Sequence, residues 1–216
     1  MTFSGWPVEA VEFYEGLEAD NSKTYWMAHK AVYDEKVYAP MAALVAELAD
    51  EFGPARIFRP YRDVRFSKDK SPYKTGIYCT LESGGYVGFR AAGLTVGRGY
   101  HHMAPDQIER YRESVADDTT GPQLVDVLHK LEKAQITVEG SDSLRGAPRG
   151  YAKDHPRMDL LRHRGLYAWR SWPVAAWLGT AAAKKRVVDT FRGAQPLQTW
   201  LDDHVGGSAT GMEEPA

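Results

Sequence analysis

The stretch Gly76-Ile-Tyr-Cys-Thr-Leu-Glu-Ser-Gly-Gly-Tyr-Val-Gly-Phe-Arg-Ala-Ala-Gly-Leu-Thr-Val-Gly-Arg-Gly-Tyr100 alternates apolar residues with small or polar ones. Such a period of two is typical of strands, because successive side chains point to opposite faces of a sheet. The pair Gly84-Gly85 and the single Gly93 provide turns between short strands. The same period begins near residue 57, so residues 57–100 predict an antiparallel meander.

Helical patterns lie on both sides of this meander. Pro7 is a suitable start for a first helix, and Asn21 or Ser22 can cap a second one, which Pro40 kinks or restarts before it ends at Gly53. The later windows with helical patterns are residues 105–114, 122–131, 156–163 and 180–192, and residues 136–139 could form one more strand. The order of helical and strand patterns along the chain predicts an α+β fold in which the meander packs with N-terminal and C-terminal helices.

Length and composition favour one domain. A chain of 216 residues with 43% hydrophobic residues can bury a sizeable core, and we assign residues 1–205 to a single domain. Residues 206–216 are small and polar, so we expect a disordered tail. There is no apolar run of membrane-spanning length and no signal-like N-terminal segment. We therefore expect a cytoplasmic protein without a membrane partner, and the sequence leaves its oligomeric state open.

The single cysteine, Cys79, excludes an internal disulfide and a cysteine-only metal site. Alternation places it with Ile77 and Leu81 on an apolar face, which favours a buried structural thiol over a nucleophile. No His-Glu-x-x-His pair is present, and the adjacent His101 and His102 would point to opposite faces of a strand. The sequence predicts neither a metal site nor a cofactor.

The most highly charged part of the chain is residues 56–75, called the basic segment below. It contains seven Lys or Arg residues and only Asp63 and Asp69 as acids, a local charge of +5 in a chain whose net charge is -2. We interpret residues 58–66 as a strand with Phe58, Arg62, Val64 and Phe66 on one face; the other face would carry Arg59, Tyr61, Asp63 and Arg65. Two interpretations stay open, a binding site for an anion and a structural network of ion pairs. The basic segment lacks the glycines of a phosphate-binding loop.

The basic segment closely resembles the signature of DUF2461, a family of bacterial proteins of unknown function, in the run Arg59-Pro-Tyr-Arg-Asp-Val-Arg-Phe-Ser-Lys-Asp-Lys-Ser-Pro-Tyr-Lys-Thr75. Two further runs are similar to family motifs, Asn21-Ser-Lys-Thr-Tyr-Trp26 and Ala147-Pro-Arg-Gly-Tyr-Ala-Lys-Asp-His-Pro156. Lys23 replaces the usual Arg of the first motif, which counts against bidentate binding at that position. Because the family has no established activity, the resemblance implies none.

The run from Ala147 to Pro156 is the second group of residues with reactive side chains. The ligand-binding candidates of the two segments are Arg59, Arg62, Arg65, Lys70, Tyr73, Lys74, Arg149, Tyr151 and Lys153. The candidates for proton transfer are Asp63, Tyr73, Asp154 and His155. As a histidine, His155 is the side chain here best able to exchange a proton, and cations beside Tyr73 or Tyr151 would lower the phenol pKa. Asp154 and Pro156 equally suit a helix start, and we expect the two segments to meet in space.

Three classes of function fit these residues. The first is a cytosolic enzyme that acts on a small phosphorylated or carboxylated molecule held by the arginines and lysines. The second is a nucleic-acid binding module in which Tyr61 and Tyr73 stack on bases. The third is a ligand-binding or scaffold protein without turnover. A net charge of -2 and a pI near 6.4 disfavour nucleic acid, so the expected partner is a small anionic ligand.

Overall fold

The computed structural model describes residues 2–65 and 67–209. Phe66, which the sequence assigns to the apolar face of a strand, and residues 210–216 of the expected tail lie outside the described residues. The helices are α1 (Val8–Ala19), α2 (Lys23–Val32), a π-helix (Tyr33–Tyr38), α3 (Ala39–Phe52), α4 (Pro105–Ala116), α5 (Thr120–Lys133), α6 (Met158–Leu161), a 3-10 helix (Ala176–Gly179) and α7 (Ala182–His204). The strands are β1 (Ala55–Ile57), β2 (Gly76–Leu81), β3 (Gly85–Arg90), β4 (Gly93–Tyr100), β5 (Thr137–Ser141) and β6 (Gly165–Trp172).

The six strands form one antiparallel sheet with the order β1-β2-β3-β4-β6-β5, which confirms the predicted α+β class. The strands β1 to β4 follow each other as the predicted meander. In the register, Ile57 lies opposite Cys79, and Cys79 lies opposite Val87. Cys79 is completely buried, and burial raises the pKa of its thiol to about 12, so it is the structural thiol that the alternation predicts.

Strand β6 has no counterpart in the sequence prediction. Leu166 and Ala168 are buried on one of its faces, whereas Tyr167 and Trp169 on the other face are only partly buried. Because the other face also carries large aromatic residues, the sequence shows no clear alternation of apolar and polar residues here. The strand becomes recognisable through its pairing with β5, in which Val138 lies opposite Ala168.

One helical prediction differs from the structure, and another is found in it. The long helix α7 continues to His204 although Gly193 and Pro196 suggest an earlier end, because Leu197 and Leu201 beyond them are completely buried. Tertiary packing therefore outweighs the local helix breakers. The predicted restart at Pro40 is found at the start of α3, directly after the π-helix.

Contacts divide the chain into two compact units, whereas the sequence suggested a single domain. The first unit contains residues 2–96 without 66, and residues 171–189. Its core includes Trp6, whose ring stacks on Phe89 with centroids 4.9 Å apart. The Trp6 backbone N–H donates to the Leu178 carbonyl over 2.8 Å. Glu47 accepts hydrogen bonds from the Phe3 backbone and from Lys184, which joins the N-terminal segment to α3 and α7.

The second unit contains residues 97–170 and 190–209. Its core is built around Tyr111 of α4, Leu124 of α5 and Leu161 of α6, all completely buried. The described beginning of the expected tail is held by α4, because Asp106 accepts hydrogen bonds from Ser208 and from the Ala209 backbone. Within the described residues, no helix is both long and apolar enough to cross a membrane.

Candidate functional site

The basic segment folds back on itself, and residues 58–65 of the predicted strand over residues 58–66 do not form a strand. Strand β1 ends at Ile57, and Tyr61 beyond it forms an isolated antiparallel bridge with Tyr73. The flanking hydrogen bonds run from Arg62 N–H to Pro72 O and from Lys74 N–H to Pro60 O, over 2.9 and 2.8 Å. Both prolines act as acceptors, and because neither has an N–H, the ladder cannot continue through them.

Carboxylates within the segment hold two of the candidate arginines. Asp63 accepts hydrogen bonds from Arg65 Nε and from Arg65 Nη2, the latter over 2.6 Å, and these bonds lower the pKa of Asp63 to about 2. Arg62 pairs with Asp69 at a partly exposed position. The interpretation as ion pairs therefore describes Arg62 and Arg65, whose guanidiniums already face a carboxylate.

Lys70 also has a partner inside the segment. Its ammonium group donates to the Val64 carbonyl over 2.9 Å, which ties the two sides of the loop together. The Asp69 carboxylate in addition accepts a hydrogen bond from the Ser71 backbone. The loop between Arg62 and Pro72 is thus closed by its own side chains.

Two further cations, Arg56 and Lys74, lie near the ring of Phe58, and a third, Arg59, lies near Lys74. Lys74 Nζ lies 5.3 Å and Arg56 Cζ 5.9 Å from the ring centroid, within the range of a cation–π contact. Partial burial and the nearby guanidiniums of Arg59 and Arg56 lower the pKa of the Lys74 ammonium group. Among the described residues, the side chains of Arg59 and Lys74 have neither a hydrogen bond nor an ion pair. Within the described residues, Arg59 and Lys74 are therefore held near each other without a paired carboxylate, and we call Arg56, Arg59 and Lys74 the cation cluster.

Tyr73, one of the aromatic residues of the basic segment, is held in place by contacts with Asn21 and Trp26 of the first unit. The Asn21 side chain donates to the Tyr73 carbonyl and accepts from the Tyr73 N–H, each over 3.1 Å. The Trp26 ring stacks on the Tyr73 ring with centroids 4.4 Å apart. Burial raises the pKa of Tyr73, so the expected lowering by cations is wrong. Tyr73 is 5% exposed, while Tyr61 is 50% exposed.

The loop with the second motif has a different arrangement. Arg149, Lys153 and Asp154 are exposed, and within the described chain their side chains make no hydrogen bond or ion pair. Tyr151 packs against the core of the second unit, and burial raises the pKa of its phenol, against the expectation. His155 Nδ1 accepts a hydrogen bond from the Arg157 backbone N–H over 3.1 Å.

His155, rather than Asp154, thus accepts a backbone hydrogen bond directly before α6. The helix begins at Met158 and comprises four residues, so the predicted helix over residues 156–163 is too long and Pro156 precedes it. The adjacent Arg157, which sequence reasoning missed, donates through Nε to Val115 O over 2.6 Å and through Nη2 to Ala116 O over 2.8 Å. It satisfies carbonyls at the end of α4. Because its partners lie about 40 residues away, no local pattern could reveal this role.

The two candidate segments belong to different units of the structure. The basic segment lies in the first unit, and the loop from Ala147 to Pro156 lies in the second. Their predicted meeting stays a prediction. The cation cluster is therefore assigned from residues of the first unit alone.

Fold and site together define an α+β protein with a six-stranded antiparallel sheet and a cluster of cations in its basic segment. The model of a family described as conserved hypothetical protein (DUF2461) matches residues 9–200. The chain belongs to the DUF2461 family, and the match covers all three motifs. No curated protein matches it.

A solved structure with a similar chain is a conserved hypothetical protein from Pyrococcus furiosus. It is 12% identical, and the alignment covers 79% of this chain and 96% of that one with a TM-score of 0.37. This level of similarity carries no argument about fold or function. The assignment of a function therefore rests on the residues of this chain.

Proposed function

We propose that this protein binds a small anionic molecule, phosphorylated or carboxylated, at the cation cluster. The observation that carries the proposal is the environment of Lys74, whose ammonium group lies beside Arg59 and Arg56 with a lowered pKa and without a carboxylate partner. Holding like charges together costs free energy, and a bound anion would offset that cost by neutralising them. Arg59 supplies planar donors that suit two oxygens of a phosphate or carboxylate.

The size of the cluster favours a small ligand over a polymer. Arg56 and Lys74 lie close to one ring, that of Phe58, and Arg59 lies near Lys74, so the cluster suits one or two anionic groups. Tyr73 is buried against Trp26 and its ring faces are not free for a nucleic-acid base. Tyr61 is half exposed, but one exposed ring on a chain of net charge -2 is a weak platform for a polyanion.

The proposal is for binding, because three of the four candidate groups for proton transfer are engaged in other contacts and the fourth, Asp154, lies on the exposed loop of the second unit. Tyr73 is buried, Asp63 is paired with Arg65, and His155 accepts a backbone hydrogen bond in the second unit. We place the protein in the cytoplasm, a reducing compartment that suits a chain with one buried free thiol.

Calorimetric titration with inorganic phosphate and with sulfate tests the proposal. Wild type is expected to bind and to melt at a higher temperature with millimolar anion, because a ligand of the native state stabilises it by mass action. Arg59→Ala and Lys74→Ala should each weaken binding about 10-fold or more, since each removes a charge-assisted contact. Lys68→Ala is the matched control, as it removes the same charge from an exposed position of the same segment and should leave affinity unchanged.

Two outcomes would contradict the proposal. Equal losses of affinity in Lys68→Ala and Lys74→Ala would show that anions respond only to the overall charge of the segment. Tight binding of a single-stranded oligonucleotide that falls by orders of magnitude between roughly 50 and 200 mM salt would favour a nucleic-acid module.

A further inference from the structure

The second unit contains an open cavity of about 570 Å³ between α5 and β5. This volume lies within the range of about 300 to 1,000 Å³ that is typical of small-molecule sites. Its apolar wall is formed by Leu128, Ile136, Val138, Leu160 and Leu166. Ile136 and Leu166 are almost completely buried, so the apolar wall is part of the core of this unit.

A histidine on this wall is held in a fixed position. His163 lines the cavity, and its Nδ1 shares a hydrogen bond of 2.6 Å with Ser143 Oγ. The ring lies directly against β5 at Gly140, where an added Cβ atom would come within 2.0 Å of Nδ1. Burial lowers the pKa of His163, which favours the neutral imidazole. The ring, fixed by Ser143 and Gly140, presents a polar edge to the cavity.

The charge of the cavity comes from one acidic residue. Glu132 is the formally charged side chain among the lining residues, and in the described part of the chain its carboxylate has no hydrogen bond or ion pair. His129 and Gln135 lie at the same opening and are exposed. An apolar wall with one free carboxylate at its opening suits a molecule with an apolar body and a single positive charge.

We propose that this cavity binds an aliphatic primary amine, with the alkyl chain against the apolar wall and the ammonium group at Glu132. The neutral His163 ring does not repel the ammonium group, and Ser143 positions that ring. The site takes the opposite charge class from the cation cluster and uses residues of the other unit only. It is thus independent of the proposed anion binding.

A set of three probes with the same alkyl chain tests the proposal by NMR and calorimetry at pH 8, namely n-hexylamine, 1-hexanol and hexanoate. We expect wild type to bind the amine most tightly, the alcohol less tightly and the carboxylate most weakly. Backbone amide shifts should change mainly at residues 136–140 and 163. Glu132→Gln should reduce the affinity for the amine about 3- to 10-fold, to that of the alcohol, because it removes the countercharge and keeps the shape.

Asp126→Asn is the matched control, since it removes one negative charge from the same helix at an exposed position outside the cavity. It should leave the affinity for the amine unchanged. A preference for hexanoate over hexylamine, an unchanged amine affinity in Glu132→Gln, or shift changes confined to other parts of the protein would each overturn the proposal. The map of shift changes in wild type requires no substitution. It therefore tests the proposal even if a variant folds poorly.

Discussion

The amide group of Asn21 is matched to the backbone of Tyr73. Its oxygen accepts from the Tyr73 N–H and its nitrogen donates to the Tyr73 carbonyl, so one side chain replaces the strand neighbour that Tyr73 lacks on that side. Ser22, the next residue, caps α2 by accepting a hydrogen bond from the Tyr25 N–H. Adjacent residues thus serve two tasks, one for the start of a helix and one for the basic segment.

Asn21→Ala is expected to lower the free energy of unfolding by about 1–3 kcal/mol, because two hydrogen bonds to partly buried backbone groups are lost. Urea denaturation measures this change. Lys23→Ala, at an exposed position two residues further on, is the control and should change stability by less than about 0.5 kcal/mol. Equal stabilities of the two variants would show that the Asn21 amide does not hold Tyr73.

Asp63 predicts a specific dependence of stability on pH. Its pKa is lowered to about 2 in the folded protein, from a usual value of 3.8, chiefly by hydrogen bonds from Arg65. A lowered carboxyl pKa stabilises the folded state above the usual value, and this contribution is lost as the pH falls from about 4 to about 2. Unfolding of Asp63→Asn should therefore depend less steeply on pH in this window than unfolding of wild type. The same steepness in both proteins would contradict the Asp63–Arg65 pair.

The end of α4 is stabilised by a side chain from another element. The last carbonyls of a helix have no partner within the helix, and Arg157 supplies donors to those of Val115 and Ala116. Its side chain is only 11% exposed. The loop of the second motif is therefore attached to α4 at the point where α6 begins.

Arg157→Ala is expected to destabilise the protein by about 2–4 kcal/mol, because carbonyls at a partly buried helix end lose donors from a charged group. Arg157→Lys should recover only part of this loss, since an ammonium group cannot reach several carbonyls in the planar manner of a guanidinium. Thermal unfolding measures both effects. Arg149→Ala, from the exposed part of the same loop, should behave like wild type. A destabilisation by Arg149→Ala as large as that by Arg157→Ala would contradict the capping role.

Local sequence patterns predicted the elements whose cause is local. The meander follows from alternation and turn glycines, and the start of α2 follows from Ser22, whose partner is three residues away. Strand β6 and the folded-back basic segment were missed because their causes are distant. Tyr73 is held by hydrogen bonds with Asn21, which lies 52 residues away in the chain.

The candidate site shows the same division. Charge counting located the basic segment. It could not distinguish the cations that form an ion pair with a carboxylate from Arg59 and Lys74, which form none within the described chain. Arg62 and Arg65 have the same formal charge as Arg59, and only the folded chain shows that Asp69 and Asp63 face the first two. The buried position of Tyr73 was equally hidden, since it depends on stacking with Trp26.

In the molecule as a whole, the basic segment contrasts with the acidic balance of the rest of the chain. The basic segment carries +5 while the chain carries -2, so the remaining residues carry -7. Such a distribution attracts a small anion to the basic segment and disfavours a long polyanion that would also meet acidic residues. The central claim is that this region has a defined site at Arg59 and Lys74.

The pKa of Lys74, measured by 13C NMR of its side chain with and without inorganic phosphate, tests this claim most directly. Without phosphate, the pKa is expected to lie below the usual value for lysine, and Arg59→Ala should raise it because a neighbouring positive charge is removed. Saturating phosphate should raise it in wild type, since a bound anion favours the ammonium form. A lysine pKa that is normal without phosphate, or one that phosphate leaves unchanged, would contradict the claim.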